Sequence, residues 1–237
     1  MKAAILAGGL GTRLRNVVSD KPKPMALLDG RPFLEYLLKW LRQYKVEEVV
    51  LCVGHQWEVI RDFFGDGGNI GMRITYSVES APLGTWGALK KARKCFDTTF
   101  LVLNGDSYFR TDLQVLINFH KDRNALATLA LAHTAETKSY GSVDLCADGR
   151  IIRFREKQGV GDNEGWVNAG IYVFEPEIFS FSPRDTDVSL ENDIFPHLAD
   201  QGSMIFGCQA EGYFIDIGTP ERYLKAQSEI GEISIDH

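Results

Sequence analysis

The sequence lacks the marks of a membrane-spanning chain, a disulfide scaffold and a nucleic-acid binder. No apolar stretch approaches the roughly 20 residues that a helix needs to cross a bilayer, so no membrane partner is expected. Basic residues are outnumbered: 26 Lys and Arg stand against 32 Asp and Glu, and no basic run offsets the net charge of −6. That balance argues against a nucleic-acid partner, although a few converging Lys and Arg still suffice to hold an anion. Cysteine is sparse. Cys52, Cys95, Cys146 and Cys208 stand far apart with no CxxC pair, which gives no support to structural zinc or a disulfide framework and fits reduced thiols in a cytoplasmic protein. The histidines form no HExxH pattern, and neither GxSxG nor a Cys-His pairing supplies a covalent nucleophile. No Pro/Ser-rich linker, low-complexity tract or long-period repeat divides the chain. The opening MKAAILAGG is too short for a signal peptide and reads as a buried strand.

What is present is an ordinary globular composition, 44% hydrophobic and 24% charged over 237 residues, enough to bury one sizeable core. Strand and helix patterns alternate through the first half. Ala3–Leu6, Glu48–Val53, Arg73–Val78 and Phe100–Asn104 read as strands, and Pro32–Tyr44, Trp57–Phe64, Thr85–Lys94 and Leu113–Arg123 as helices. In the second half Thr128–His133, Gly141–Leu145, Ile151–Arg155, Val167–Phe174 and Tyr213–Ile217 read as strands, with shorter helices at Asp193–Ala199 and Pro220–Ile230. The expected fold class is α/β: a single Rossmann-like domain with a mixed, mostly parallel sheet flanked by helices.

Directly after the first strand runs Ala7-Gly8-Gly9-Leu10-Gly11-Thr12-Arg13-Leu14, and the loop closes with Lys21-Pro22-Lys23-Pro24-Met25. Glycines let backbone N–H groups approach a phosphate with no Cβ in the way. Arg13 and Lys23 add fixed positive charge for the same phosphates. The spacing is not GxGxxG, because Leu14 fills the last glycine position, and it lacks the GK[ST] ending of a P-loop. GGxGTRL followed by KPKPM resembles the opening motif of the sugar-phosphate nucleotidyltransferase family, GGxGTRLxPxTxxxPKPM. Arg15-Asn16-Val17-Val18 departs from it by lacking the proline. The resemblance runs from Lys2 to about Leu224. It implies a GT-A-like nucleotidyltransferase fold and an enzyme that joins a nucleoside triphosphate to a sugar 1-phosphate with release of pyrophosphate. A nucleotide-binding half over about residues 1–125 and a sugar-binding half over about 126–237 follow from it.

Glu79-Ser80-Ala81-Pro82-Leu83-Gly84-Thr85 resembles the family's base and ribose segment. The resemblance thus assigns Leu6, Ala7, Gly8, Gly9, Gly11, Thr12, Glu79, Pro82, Gly84 and Thr85 to the nucleotide. A carboxylate only accepts hydrogen bonds and guanine offers N1–H and N2–H side by side, so Glu79 leans toward GTP; a solvated strand-end charge is the alternative. Trp86 stands where the family has a small residue, and would narrow the pocket or pack beneath the base.

Asp106 ends the apolar strand FLVLN within a GD motif, at the sheet edge where α/β folds bind ligands. Asp216 opens Asp216-Ile217-Gly218-Thr219-Pro220, which resembles the family's DxGTP motif. By resemblance both are metal ligands, and two such acids can share one Mg²⁺, or Mn²⁺ in its place, with phosphate oxygens. Tyr140-Gly141, Glu156-Lys157 and Asn168-Ala169-Gly170 resemble the sugar-site segments. They assign Gly141, Glu156 and Asn168 to the sugar and Lys157 to its phosphate. Glu191 in SLEND reads equally well as a site residue and as an ordinary helix-start acid.

The expected catalytic set is Arg13, Lys23 and Asp106. A sugar 1-phosphate is already an anion and needs no general base, so positioning and cationic stabilisation carry the rate. Among short family members the resemblance favours GTP and a heptose 1-phosphate destined for bacterial surface polysaccharide. Mannose or glucose 1-phosphate, and UTP, CTP or dTTP, are the alternatives, and a homodimer is left open. A glycosyltransferase would show a DxD motif that Asp106-Ser107-Tyr108 does not supply. A regulatory module would lack Arg13, Lys23 or one of the acids.

Overall fold

A computed structural model describes residues 1–14, 17–18, 21–135, 137, 140–155, 164–181 and 188–233. Along the chain come β1 (Lys2–Leu6), a hairpin of β2 (Leu27–Leu28) and β3 (Arg31–Pro32), α1 (Phe33–Gln43), β4 (Glu48–Val53), α2 (Trp57–Phe64), β5 (Arg73–Val78), α3 (Gly84–Lys91), β6 (Phe100–Asn104), β7 (Ser107–Arg110) and α4 (Leu113–Asp122). The second half adds β8 (Ala127–Thr134), β9 (Ser142–Leu145), β10 (Ile151–Arg155), β11 (Gly165–Phe174), α5 (Phe195–Asp200), β12 (Ile205–Ala210), β13 (Tyr213–Asp216), α6 (Pro220–Ser228) and α7 (Ile230–Ile233).

Strand side chains alternate between faces, and the inner strands are apolar on both. β1 sends Ala3 and Ile5 into one apolar cluster and Ala4 into another. β4 divides Val49, Leu51 and Val53 from Val50 and Cys52 in the same way, and β6 divides Leu101 and Leu103 from Phe100 and Val102. The result is a nine-stranded sheet in the order β10-β9-β11-β6-β1-β4-β5, with β8 beside β11 and β12 beside β8. β5, β4, β1 and β6 are parallel, whereas β11 is antiparallel to both β6 and β8. The fold is the mixed α/β sheet flanked by helices that the sequence pattern predicts.

α1 starts where Pro32, at φ −58°, needs no N–H to enter the first turn, and it buries Phe33, Leu37, Leu38, Trp40 and Leu41 on one side. Two helices depart from expectation. α3 stops at Lys91 and is followed by a separate tight turn at Arg93–Cys95. The helix expected from Asp193 begins instead as a wide π turn, Leu190–Ile194, with α5 following directly. The turn's wide bonds run from Ile194 N to the Ser189 carbonyl and from Phe195 N to the Leu190 carbonyl. β12 and β7 were not predicted. β7 pairs antiparallel with β13, setting Asp216 opposite Ser107.

Candidate active site

The carboxyl ends of β1 and β6 open into a cleft of about 380 Å³. Ala7 N donates to the Cys52 carbonyl at 2.8 Å and Gly105 N to the Leu6 carbonyl at 2.9 Å, so the chain leaves the sheet only at Gly8. Glu79 packs closely here: a Cβ on Gly8, or on Gly54, would lie 2.7 Å from Glu79 Oε1 and displace the carboxylate. Gly11 then turns the chain at φ +58°. Leu14, fully buried, donates its N–H to the Gly11 carbonyl at 3.0 Å and anchors the turn that leaves Arg13 exposed. Leu6, Ala7, Gly8, Gly9, Gly11, Thr12 and Arg13 all line the cleft, as do Lys23, Asp106, Glu79, Pro82, Gly84 and Thr85.

Glu79 brings a carboxylate to the cleft. Its Oε2 is buried and has no hydrogen-bond partner among the described residues. Burial pushes the carboxyl above the usual glutamate range, against the pull of the Leu83 N–H and of Lys91. Gly84, at φ +74°, lies so close to the Val188 carbonyl that no Cβ would fit, and Trp86 N donates to that same carbonyl at 2.9 Å. Thr85 Oγ1 donates to Glu191 Oε2 at 2.9 Å and accepts from Leu190 N at 2.7 Å. Glu191 is therefore built into the wall of the site rather than solvated. Trp86 neither narrows the pocket nor underlies a base. It is fully buried on the other side of α3, its ring stacked on Phe179 with centroids 5.6 Å apart.

Lys23 pairs with Asp106, and Asp216 lies nearby with a different partner. Lys23 Nζ lies 2.5 Å from Asp106 Oδ2, and the Ser107 hydroxyl donates to Asp106 Oδ1 at 3.2 Å. Burial alone would raise the Asp106 carboxyl. The Lys23 ammonium more than offsets it, helped by Ser107 and the field of Arg13, and holds it below the usual aspartate range. Asp216 arrives beside them through the β7–β13 pairing and the 2.9 Å bond from Ile217 N to the Asp106 carbonyl. A Cβ on Gly218 would lie 2.5 Å from Asp216 Oδ1 and 3.6 Å from Lys23 Nζ. Asp216 is 6% exposed and fully engaged: Gly218 N donates to Oδ1 at 2.7 Å, Arg222 donates to Oδ2 at 2.7 Å, and the Tyr140 hydroxyl donates to Oδ2 as well. Arg222 also lies over the Tyr140 ring, 4.3 Å from its centroid.

These residues differ in their fitness for a divalent cation. Asp106 fits: its side chain is 38% exposed at the cleft, and Oδ1 accepts only from Ser107 among the described residues. Arg222 and Tyr140 both occupy Asp216 Oδ2, so a cation would meet Asp216 at Oδ1, which accepts one bond, from Gly218 N. No group of three or more His, Cys, Asp and Glu among the described residues could hold a metal alone, so phosphate oxygens would complete the shell.

Gly141 and Asn168 are joined by a 3.2 Å bond from Asn168 N to the Gly141 carbonyl, yet neither lines the cleft. Glu156 and Lys157 lie outside the described residues. Asn104, Tyr172 and Arg222 escaped sequence reasoning. Asn104 adjoins the GD motif, a proximity that could have flagged it, whereas Tyr172 in the apolar run IYVF reads as core.

Fold and cleft together define a class: an α/β protein that presents loop amides, Arg13 and Lys23 to a phosphate-bearing ligand at the carboxyl edge of its sheet. Residues 2–232 match the nucleotidyl transferase family, and the chain belongs to that family of enzymes. It is 41% identical over 231 residues to the D-glycero-alpha-D-manno-heptose 1-phosphate guanylyltransferase of Aneurinibacillus thermoaerophilus, covering 97% of this chain and 98% of that one. A protein of the same name from Campylobacter jejuni is 38% identical over 223 residues, with 94% and 97% coverage. The crystal structure of HddC from Yersinia pseudotuberculosis complexed with GMP-PN superposes with a TM-score of 0.84 at 33% identity, covering 97% of this chain and 99% of that one. No helix among the described residues is long and apolar enough to cross a membrane.

Proposed function

We propose that the chain is a guanylyltransferase that condenses GTP with D-glycero-α-D-manno-heptose 1-phosphate and releases pyrophosphate. The observation that carries the base assignment is the Glu79 carboxylate, whose buried Oε2 lacks a partner in the cleft. Leaving such an acceptor unmet is unfavourable, and guanine's adjacent N1–H and N2–H are the donors that answer it. The names of the relatives support the heptose.

In this reading an oxygen of the sugar phosphate attacks the α-phosphorus of GTP. A new P–O bond forms as the α–β bridging bond breaks, and its electron pair leaves on pyrophosphate; no proton has to move. Arg13 and the amides of the glycine loop hold the leaving phosphates. Lys23, steadied by Asp106, lies beside the reacting phosphate, where its charge opposes the repulsion between two polyanions. Mg²⁺ or Mn²⁺ would be held by Asp106 and by Asp216 Oδ1, and when bound it would neutralise phosphate charge. Residues of about 1–125 take the nucleotide and those of about 126–237 the sugar, with Gly141, Glu156, Lys157 and Asn168 in the second group. The enzyme works in the cytoplasm, as a monomer or a homodimer.

Pyrophosphate release measured over a grid of GTP, UTP, CTP and dTTP against heptose, mannose and glucose 1-phosphates tests the proposal. GTP with heptose 1-phosphate is expected to give the highest kcat/KM. A tenfold or greater preference for another nucleotide would refute the base assignment, and the same preference for another sugar would refute the heptose.

A further inference from the structure

Tyr172 is wholly buried on β11, its ring packed against Phe174 and Phe195 with centroids 5.6 and 5.1 Å away. Its hydroxyl donates to Glu191 Oε1 at 3.1 Å. A carboxylate only accepts, so that proton is committed, and burial and Glu191 together push the phenol well above its usual range. The phenol oxygen is left with acceptor capacity toward the two carboxamides beside it. Asn168 Nδ2 donates at 3.0 Å, and Asn104 stands on the same face of neighbouring β6, diagonally across from Tyr172, which lies opposite Val102. An amide beside this phenol turns its NH2 group to it, because a carbonyl oxygen facing Tyr172 would meet no proton.

The two consequences differ. Asn168 Oδ1 accepts the Gly170 N–H at 2.9 Å and holds the irregular turn in β11, where Gly170 has φ +74°. Asn104 Oδ1 is buried with no partner among the described residues, and Asn104 lines the cleft. A Cβ on Gly170 would lie 2.9 Å from Asn104 Nδ2, so close packing also restrains that amide.

We infer that Asn104 Oδ1 accepts a hydrogen bond from a substrate hydroxyl, and that Tyr172 is the positioning residue that keeps this oxygen turned toward the cleft. The inference rests on the nucleotidyl-transfer reading above. Both substrates carry hydroxyls, on the ribose and on the sugar ring, and one carbonyl acceptor suits either.

The test is steady-state turnover by the wild type, Asn104→Ala and Tyr172→Phe. Each is assayed with GTP, 2′-deoxy-GTP and 3′-deoxy-GTP, and with parent and singly deoxygenated sugar 1-phosphates. The wild type is expected to disfavour the analogue lacking the bound hydroxyl by roughly tenfold in kcat/KM. Both variants lose most of that discrimination, with KM for the intact substrate rising roughly three- to tenfold and kcat changing by less than about twofold. Loss confined to deoxynucleotides assigns the bond to the ribose, and loss confined to deoxy sugars assigns it to the sugar. Either supports the inference.

Discrimination kept by both variants, or absent in the wild type, overturns the acceptor role while leaving guanylyl transfer standing. Discrimination lost in Asn104→Ala but kept in Tyr172→Phe overturns the positioning role alone. Should Asn104→Ala fail to fold, Asn104→Leu, which keeps the volume and removes the acceptor, takes its place in the same comparison. A wild type inert toward every nucleotide and sugar 1-phosphate overturns the transfer reading and this inference with it.

Discussion

Glu79 is held in a position that suits a ligand better than the fold. Burial raises its carboxyl above the usual range, so the folded chain binds this proton more tightly than the unfolded chain does. Its contribution to stability is therefore fully present below the unfolded glutamate pKa and is lost as pH rises through the folded value. At neutral pH Glu79→Gln is expected to raise Tm, with the gain shrinking as pH falls into the glutamate range. Thermal unfolding of both proteins across pH checks this, and a variant less stable than wild type at neutral pH would contradict it. Arg13 is the opposite case, exposed and outside the core. Arg13→Ala is expected to lower kcat/KM by on the order of 10²-fold with Tm unchanged. An active Arg13→Ala enzyme would reduce the glycine loop to a structural turn.

Elements that are apolar on both faces were legible in the sequence. β1, β4 and β6 are continuous hydrophobic runs because each residue packs into one of two cores. β12 was missed because Gly207 and Gln209 interrupt its run, although Ile205, Phe206 and Cys208 are buried. β7 is a four-residue strand ending in Arg110, too short to register a period. Trp86 was misread for a related reason: position in a motif does not say which side of a helix faces the ligand. The last turn of α4 carries a further consequence. His120, 1% exposed, pairs Nδ1 with Thr128 Oγ1 at 2.8 Å and Nε2 with Glu175 Oε1 at 3.1 Å, tying α4 to β8 and to the chain after β11. Burial depresses its pKa despite the opposing pull of Glu175. A depressed histidine contributes stability above the unfolded pKa of about 6.5 and loses it as pH falls below that value. Tm is expected to drop on acidification through this range, and His120→Gln to flatten the drop. An equally steep fall in the variant would place the acid sensitivity elsewhere.

At the scale of the whole molecule the cleft gathers residues far apart in sequence. Arg13, Lys23 and Asp106 were visible because each sits in a short local pattern, Arg13 and Lys23 in the loop after β1 and Asp106 just beyond β6. Tyr172 and Arg222 were not, because Tyr172 meets Glu191, and Arg222 the Tyr140 ring, only once the chain has folded. Charge is balanced within the chain: Asp106 has Lys23 and Asp216 has Arg222. Chelation by EDTA is therefore expected to stop turnover and leave Tm unchanged, and full turnover in EDTA would remove the metal from the account.

The central claim, that this cleft reads guanine through Glu79, is tested most directly by competition in one vessel. Equimolar GTP, UTP, CTP and dTTP are supplied with D-glycero-α-D-manno-heptose 1-phosphate, and the nucleotide-sugars formed are separated by mass. Wild type is expected to yield chiefly the GDP-sugar. Glu79→Gln is expected to narrow that preference by about ten- to a hundredfold, the loss of roughly 1.5 to 3 kcal/mol for a charge-assisted pair. A product dominated by UDP-, CDP- or dTDP-sugar, or a Glu79→Gln enzyme as selective as wild type, would contradict it.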